Sequence, residues 1–255
     1  MKRFLRVSGI TLLTLFILAV AGFAITAFRT PSANLLPLPD ALIAAESSRG
    51  KELLLTDRSF VSDYDGLMKN FESQSRRAFC GVASSVIALN ALRPSEPRLT
   101  QATFFTDDTS KVRSSLRVTL IGMSLAQLSD LLRAHGVEAT PFYASDTNLE
   151  TFRSVAQQNL KTSGDLLLVN YQRAVLGQGE VGHISPVAAY NAAADRLLVL
   201  DVAAYKYPPV WVSTEALWNA MNTVDSASGR TRGFVVVRGV QQQVPADRPA
   251  SRAGG

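Results

Sequence analysis

DLLLVNYQRAVLGQGEVGHISPVAAYNAAADRLLVLDV, residues Asp165–Val202, is the stretch on which the reading of the fold turns. Three runs rich in Val, Ile and Leu stand out: Asp165–Tyr171, His183–Tyr190 and Arg196–Val202. A glycine-bearing loop separates the first two and a polar turn the last two, which predicts consecutive antiparallel strands. Gly233–Arg238 (GFVVVR) predicts another strand, and Thr214–Asn222 a short helix before it. Upstream the pattern is helical. Gly81–Leu92 (GVASSVIALNAL) carries apolar residues at helical spacing and stops before Pro94 and Pro97. Ser124 and Gln127 form a capping box for a second helix that ends at Gly136. Thr147–Leu160 predicts a third, capped by Asp146 or Thr147. Smaller expectations are a helix over Ala41–Arg49 stopped by Gly50, strands at Leu53–Leu55 and Val137–Tyr143, and a turn-rich Asp63–Asn70. Helices first and an antiparallel sheet afterwards is an α+β pattern.

Hydrophobic residues make up 47% of the 255, enough for one sizeable core. The net charge is +5, but the basic residues are scattered, with Arg76–Arg77 the one tight pair before the core. Nucleic-acid binding needs a clustered basic footprint, so that class is excluded. Cys80 is the single cysteine, which rules out an internal disulfide framework and a thiolate cage. With two histidines, His135 and His183, and no HExxH-type spacing, no metal is assigned to the protein.

Met1–Arg6 is basic, and Val7–Phe28 then runs 22 residues without a charge. A bilayer core needs about 20 apolar residues, so residues 1–28 are expected to be a membrane anchor or signal segment. The positive-inside rule keeps the basic end in the cytoplasm. The remainder would then lie in the bacterial periplasm, held at the inner membrane or released by cleavage. Residues 29–40, with three prolines, predict an extended linker, residues 41–240 the folded domain and residues 241–255 a disordered tail.

A thiol attacks as its thiolate, which a helix N-terminus and a neighbouring imidazolium both favour. Cys80 stands at the start of the Gly81–Leu92 helix. His183 opens a strand after a glycine-rich loop, and Asp201 ends the next strand. Adjacent antiparallel strands lie about 4.8 Å apart, close enough for the carboxylate to fix the ring tautomer. The Cys80 backbone N–H and the Gln74 side-chain amide are candidate oxyanion donors. Each residue has an ordinary alternative: a buried apolar thiol, a structural histidine, a turn aspartate. His135, ending a helix, is read as complementing its dipole.

Gln74–Leu92 (QSRRAFCGVASSVIALNAL) resembles the active-site segment of phytochelatin synthases, and Val169–Val237 resembles their second half, notably in GHISP, LDVAAYKYPPVWV and RGF. The likeness covers Phe71–Val237. It implies a papain-like fold, with an N-terminal helical lobe carrying the nucleophile helix and a C-terminal antiparallel sheet lobe. It further implies a Cys80–His183–Asp201 triad with Gln74 at the oxyanion hole. The implied activity is a glutathione γ-glutamylcysteinyltransferase that releases glycine through a thioester on Cys80, with water or a second glutathione as acceptor. Glutathione carries two carboxylates, so Arg173 and Arg232 are candidate binding residues, with Asn170 and Tyr205 as hydrogen-bonding partners. No cofactor is implied, and a divalent heavy metal would enter as the metal–glutathione thiolate. A homodimer is a family expectation. The chain departs from the family in having Ala204 where arginine is common, and it has no cysteine beyond Cys80. In this it resembles the short bacterial forms, in which hydrolysis dominates. The alternatives are a papain-like peptidase acting on other exported peptides and a non-catalytic tethered binder of glutathione.

Overall fold

The computed structural model describes residues 2–239, with side chains from residue 14 onward. The expected tail, 241–255, lies outside the described residues. The chain begins with α1 (Lys2–Phe28) and an extended segment, residues 30–39. β1 (Ile43–Ala44), α2 (Ser48–Thr56), α3 (Tyr64–Lys69), α4 (Cys80–Leu92), α5 (Asp107–Val112), α6 (Ser115–Ile121) and α7 (Leu125–Ala134) follow, then β2 (Val137–Tyr143) and α8 (Leu149–Lys161). β3 (Asp165–Gln172), β4 (Gly182–Asn191), β5 (Arg196–Val199), β6 (Val210–Ser213), α9 (Thr214–Met221), β7 (Val224–Asp225), β8 (Arg230–Thr231) and β9 (Gly233–Gly239) complete it. Seven strands form one antiparallel sheet in the order β1-β6-β5-β4-β3-β9-β2, and β7 and β8 form a separate ribbon. The fold is α+β.

The sheet is covered on both faces, and this explains why β3 reads as an unbroken apolar run rather than an alternating one. Successive side chains of a strand point to opposite faces. Leu166 and Leu168 join a core with α4 and α7, while Leu167, Val169 and Tyr171 join a second core with Phe152 of α8 and Leu217 of α9. α4 lies against β4, where the Ser84 hydroxyl donates to the Ile184 carbonyl at 3.0 Å. The Ser124–Gln127 capping box is present and Gly136 is left-handed with φ 74°.

Several local expectations are corrected. Leu53–Leu55 is helical, because Ser47 caps α2 by accepting from the Gly50 N–H at 3.1 Å. Gly50 is therefore inside a helix, not its stop. A Cβ there would run into the Ala44 carbonyl oxygen, and the Gly50 carbonyl accepts from Trp211 Nε1 at 3.0 Å. Gly50→Ala is expected to cost about 3 kcal/mol. Thermal unfolding would read that as a fall in Tm of roughly 6–12 °C, at about 2–4 °C per kcal/mol. The 63–70 segment is not a plain turn but holds α3. The cap of α8 is Asn148, whose Oδ1 accepts from the Thr151 N–H at 2.9 Å. β5 stops at Val199, so Asp201 lies beyond the strand. There the Leu200 N–H still donates to the Pro186 carbonyl at 2.9 Å. His135 does not act as a dipole-complementing cation. Burial and the neighbouring Arg93 push its pKa down, its Nε2 contacts the Phe104 carbonyl at 3.0 Å, and the Arg93 guanidinium caps the α7 end instead.

The 30–39 segment is strapped to the domain. The N–H groups of Asn34 and Leu36 donate to the carbonyls of Tyr205 and Lys206 at 2.8 and 2.9 Å. Pro39 packs beside Gly177, which is left-handed with φ 74°. Among the described residues no helix is long and apolar enough to cross a membrane; of α1, residues 14–28 are those described with side chains.

Candidate active site

Cys80 is the first residue of α4, half-buried, and lines a cleft of about 310 Å³ together with His183, Asn170, Arg232, Asp225 and Arg77. The backbone N–H groups of Ile184 and Gly81 lie near the thiol and favour its ionised form. Ile184 immediately follows His183, so the strand that carries the imidazole also carries a donor to the sulfur. Gly81 packs against Met123, whose flexible side chain would have to move to admit a Cβ there.

His183 begins the buried part of β4, and its ring meets the edge of Tyr171, its cross-strand partner, at a centroid distance of 5.7 Å. Its Nε2 lies 3.0 Å from Asp201 Oδ1. That oxygen also accepts from Arg173 Nη2 at 2.6 Å and from the Ala203 N–H at 2.9 Å. Asp201 is fully buried, and burial alone would raise its carboxyl. His183 and Arg173 outweigh that and hold it down at about 2. An ionised carboxylate on Nε2 makes Nε2 the protonated nitrogen of neutral imidazole, which leaves Nδ1 as the basic one.

Burial, assisted by the Arg173 charge, pushes His183 down to about 4. Burial pushes the Cys80 thiol up, against the pull of its two N–H donors and of Arg173. Burial thus opposes the thiolate that the helix N-terminus favours and keeps the imidazole neutral. Removing the Arg173 charge relieves part of the repulsion that depresses His183. The acid limb of the pH–rate profile is expected to move to higher pH in Arg173→Gln, and glycine-release rates from pH 4 to 8 check it.

Arg173 is placed differently from the expectation that it offers a fork to substrate. Nη1 donates to Gln178 Oε1 at 2.6 Å, Nη2 to Asp201, and Tyr207 covers the guanidinium at 5.2 Å. A buried carboxylate needs a buried cation, and Arg173 supplies it. Gln74 is also placed differently. Both hydrogens of its amide go to the Arg76 and Arg77 carbonyls, at 2.9 and 2.7 Å, so it staples the loop before α4 and has none left for an oxyanion in this arrangement. The Cys80 N–H, in the first turn of α4, has no intrahelical partner and remains a donor.

Asn170 and Arg232 do line the cleft, whereas Tyr205 is half-buried beside it and gives its carbonyl to the 30–39 strap. Arg232 donates to Thr223 Oγ1 and the Val224 carbonyl, and its buried Nε has no partner among the described residues. Asp225, 4.0 Å from Arg232 Nη2, stands at the start of the β7–β8 ribbon. Sequence reasoning passed over Asp225, exposed Arg77 at the mouth, and Gln178. Arg77 and Gln178 are ordinary loop residues and Asp225 ends the two-residue β7, so the fold alone brings them to the site.

The site defines a class: a cysteine at a helix start, in one cleft with a histidine whose other nitrogen a buried aspartate holds. The chain belongs to the phytochelatin synthase family, whose model matches residues 33–234. It is similar to glutathione gamma-glutamylcysteinyltransferase 1 of Lotus japonicus, 36% identical over 210 residues, covering 80% of this chain and 42% of the relative. The corresponding protein of Triticum aestivum is 34% identical over 209 residues, with 80% and 42% covered. The Schizosaccharomyces pombe glutathione gamma-glutamylcysteinyltransferase is 29% identical over 205, with 78% and 50% covered. The chain thus spans about half the length, or less, of these curated relatives.

Proposed function

We propose that the protein is a papain-like glutathione γ-glutamylcysteinyltransferase whose nucleophile is Cys80. The observation that carries this reading is that Cys80 and His183 line one cleft, with Asp201 hydrogen-bonded to the far nitrogen of the ring. Cys80 Sγ attacks the carbonyl of the Cys–Gly bond while its proton passes to His183 Nδ1. The Cys80 N–H faces the developing oxyanion. His183 returns the proton to the departing glycine amine, leaving a γ-glutamylcysteinyl thioester. Water, or the amine of a second glutathione free or as its heavy-metal thiolate, then takes the acyl group with His183 as base. Arg232 and Asp225 present opposite charges to the γ-glutamyl head, which carries one carboxylate and one ammonium, and Asn170 lies beside them.

The 22-residue apolar run Val7–Phe28, within α1, is read as a membrane anchor, with the domain on the periplasmic side. Comparing free-glycine release from glutathione with release from a longer peptide ending in Cys-Gly tests the substrate. A large preference in kcat/KM for glutathione is expected, and equal values would transfer the reading to a general peptidase.

A further inference from the structure

We infer that the outer face of α6 rests on the lipid surface, so that the catalytic cleft opens at the membrane–water boundary. The inference rests on the reading of α1 as an anchor and adds where the domain sits once anchored.

Three observations converge. The end of α1 is fixed to the domain beside α6: Ala27 is buried, and the last turn packs on α6. The Arg76 guanidinium lies 5.1 Å over the Phe28 ring while its Nη1 donates to Thr119 Oγ1 of α6 at 2.7 Å. Where α1 leaves the bilayer, α6 is therefore already present. Secondly, α6 is turned inside out for a helix at a domain surface. Val118 and Thr119 face inward, while Leu116, Leu120 and Ile121 are 55%, 39% and 69% exposed. Leu116 and Leu120, four residues apart, share one side, and Ile121 extends the exposed surface round the helix toward the cleft. Thirdly, exposed arginines accompany these residues: Arg117 on the same side of α6, Arg29 just after α1 and Arg77 lining the cleft. Apolar side chains interspersed with guanidinium groups suit the interface of a bilayer containing anionic lipid, and the apolar helix entering beside them selects that occupant. Ile121 lines the cleft, as does Val181, which is 50% exposed. The apolar face thus continues to the rim of the site.

The test uses the full chain in vesicles of phosphatidylglycerol and chain-brominated phosphatidylcholine. Single tryptophans are added at Leu120, at Leu55 on α2 and at Phe16 in α1, with the wild-type chain as background for buried Trp211 and Trp218. Interfacial helices bury their apolar face about 5–10 Å deep, so L120W is expected to be quenched about twofold or more relative to L55W. F16W should be quenched strongly. Quenching of F16W with L120W no different from L55W overturns the inference and leaves the anchor standing. An unquenched F16W removes the anchor, and the inference with it. A concentration-dependent blue shift of L120W in lipid-free detergent would assign the face to a second copy of the chain and overturn the lipid assignment.

Discussion

Cys80→Ser is expected to release no measurable glycine from glutathione, a loss of about 10⁴–10⁶-fold, the scale on which removing the nucleophile of a coupled triad acts. The reason is specific to this cleft. With His183 pushed down to about 4 the imidazole is a weak base, and a serine hydroxyl is a far weaker acid than the thiol it replaces. The change is close to isosteric at a half-buried position, so the circular dichroism spectrum and Tm should hold while activity disappears. Glycine release at the normal rate by Cys80→Ser would remove Cys80 from the chemistry.

Asp201→Asn is expected to fail twice over. Losing the carboxylate leaves the ring tautomer unspecified and the imidazolium unstabilised, worth about 10⁴-fold in rate where an aspartate holds a catalytic histidine. It also leaves Arg173, 2% exposed, as a buried cation without its counter-charge, at about 3–5 kcal/mol of stability. The double variant Arg173→Met/Asp201→Asn separates the two effects. Removing both charges should recover most of the lost Tm, since the cost lies in the unpaired charge, while glycine release stays low. Recovery of activity together with stability would show that Asp201 acts only as a packing partner of Arg173.

The elements legible in the sequence were those with a strong local signature. α4 is apolar all round because it is buried all round, the Ser124–Gln127 box states its helix start, and β3 and β4 show the continuous runs of strands covered on both faces. Leu53–Leu55 was ambiguous, because three leucines satisfy a short buried strand and one turn of helix equally. What decides it is Ser47 and the backbone clearance at Gly50, visible only in three dimensions. α5 and α6 are too short for periodicity to register, and the exposed leucines of α6 break the amphipathic rule that would reveal it.

At the site, Cys80, His183 and Asp201 stood out by residue type and by resemblance, and the fold places His183 against Asp201 and Cys80 in the same cleft. Arg173 looked like a substrate fork because its charge was visible and its partner, 28 residues away, was not. Gln74 is of the right type for an oxyanion donor, but the direction of an amide depends on which carbonyls lie within reach, and two of its own loop do.

The central claim is that acyl transfer passes through the one sulfur nucleophile of the chain. Mass spectrometry of wild-type protein quenched within milliseconds of mixing with glutathione tests it most directly. A γ-glutamylcysteinyl group is expected on the peptide containing Cys80, appearing with one equivalent of free glycine and absent from Cys80→Ser. Steady release of glycine with no acyl group on Cys80 at any time point would contradict it.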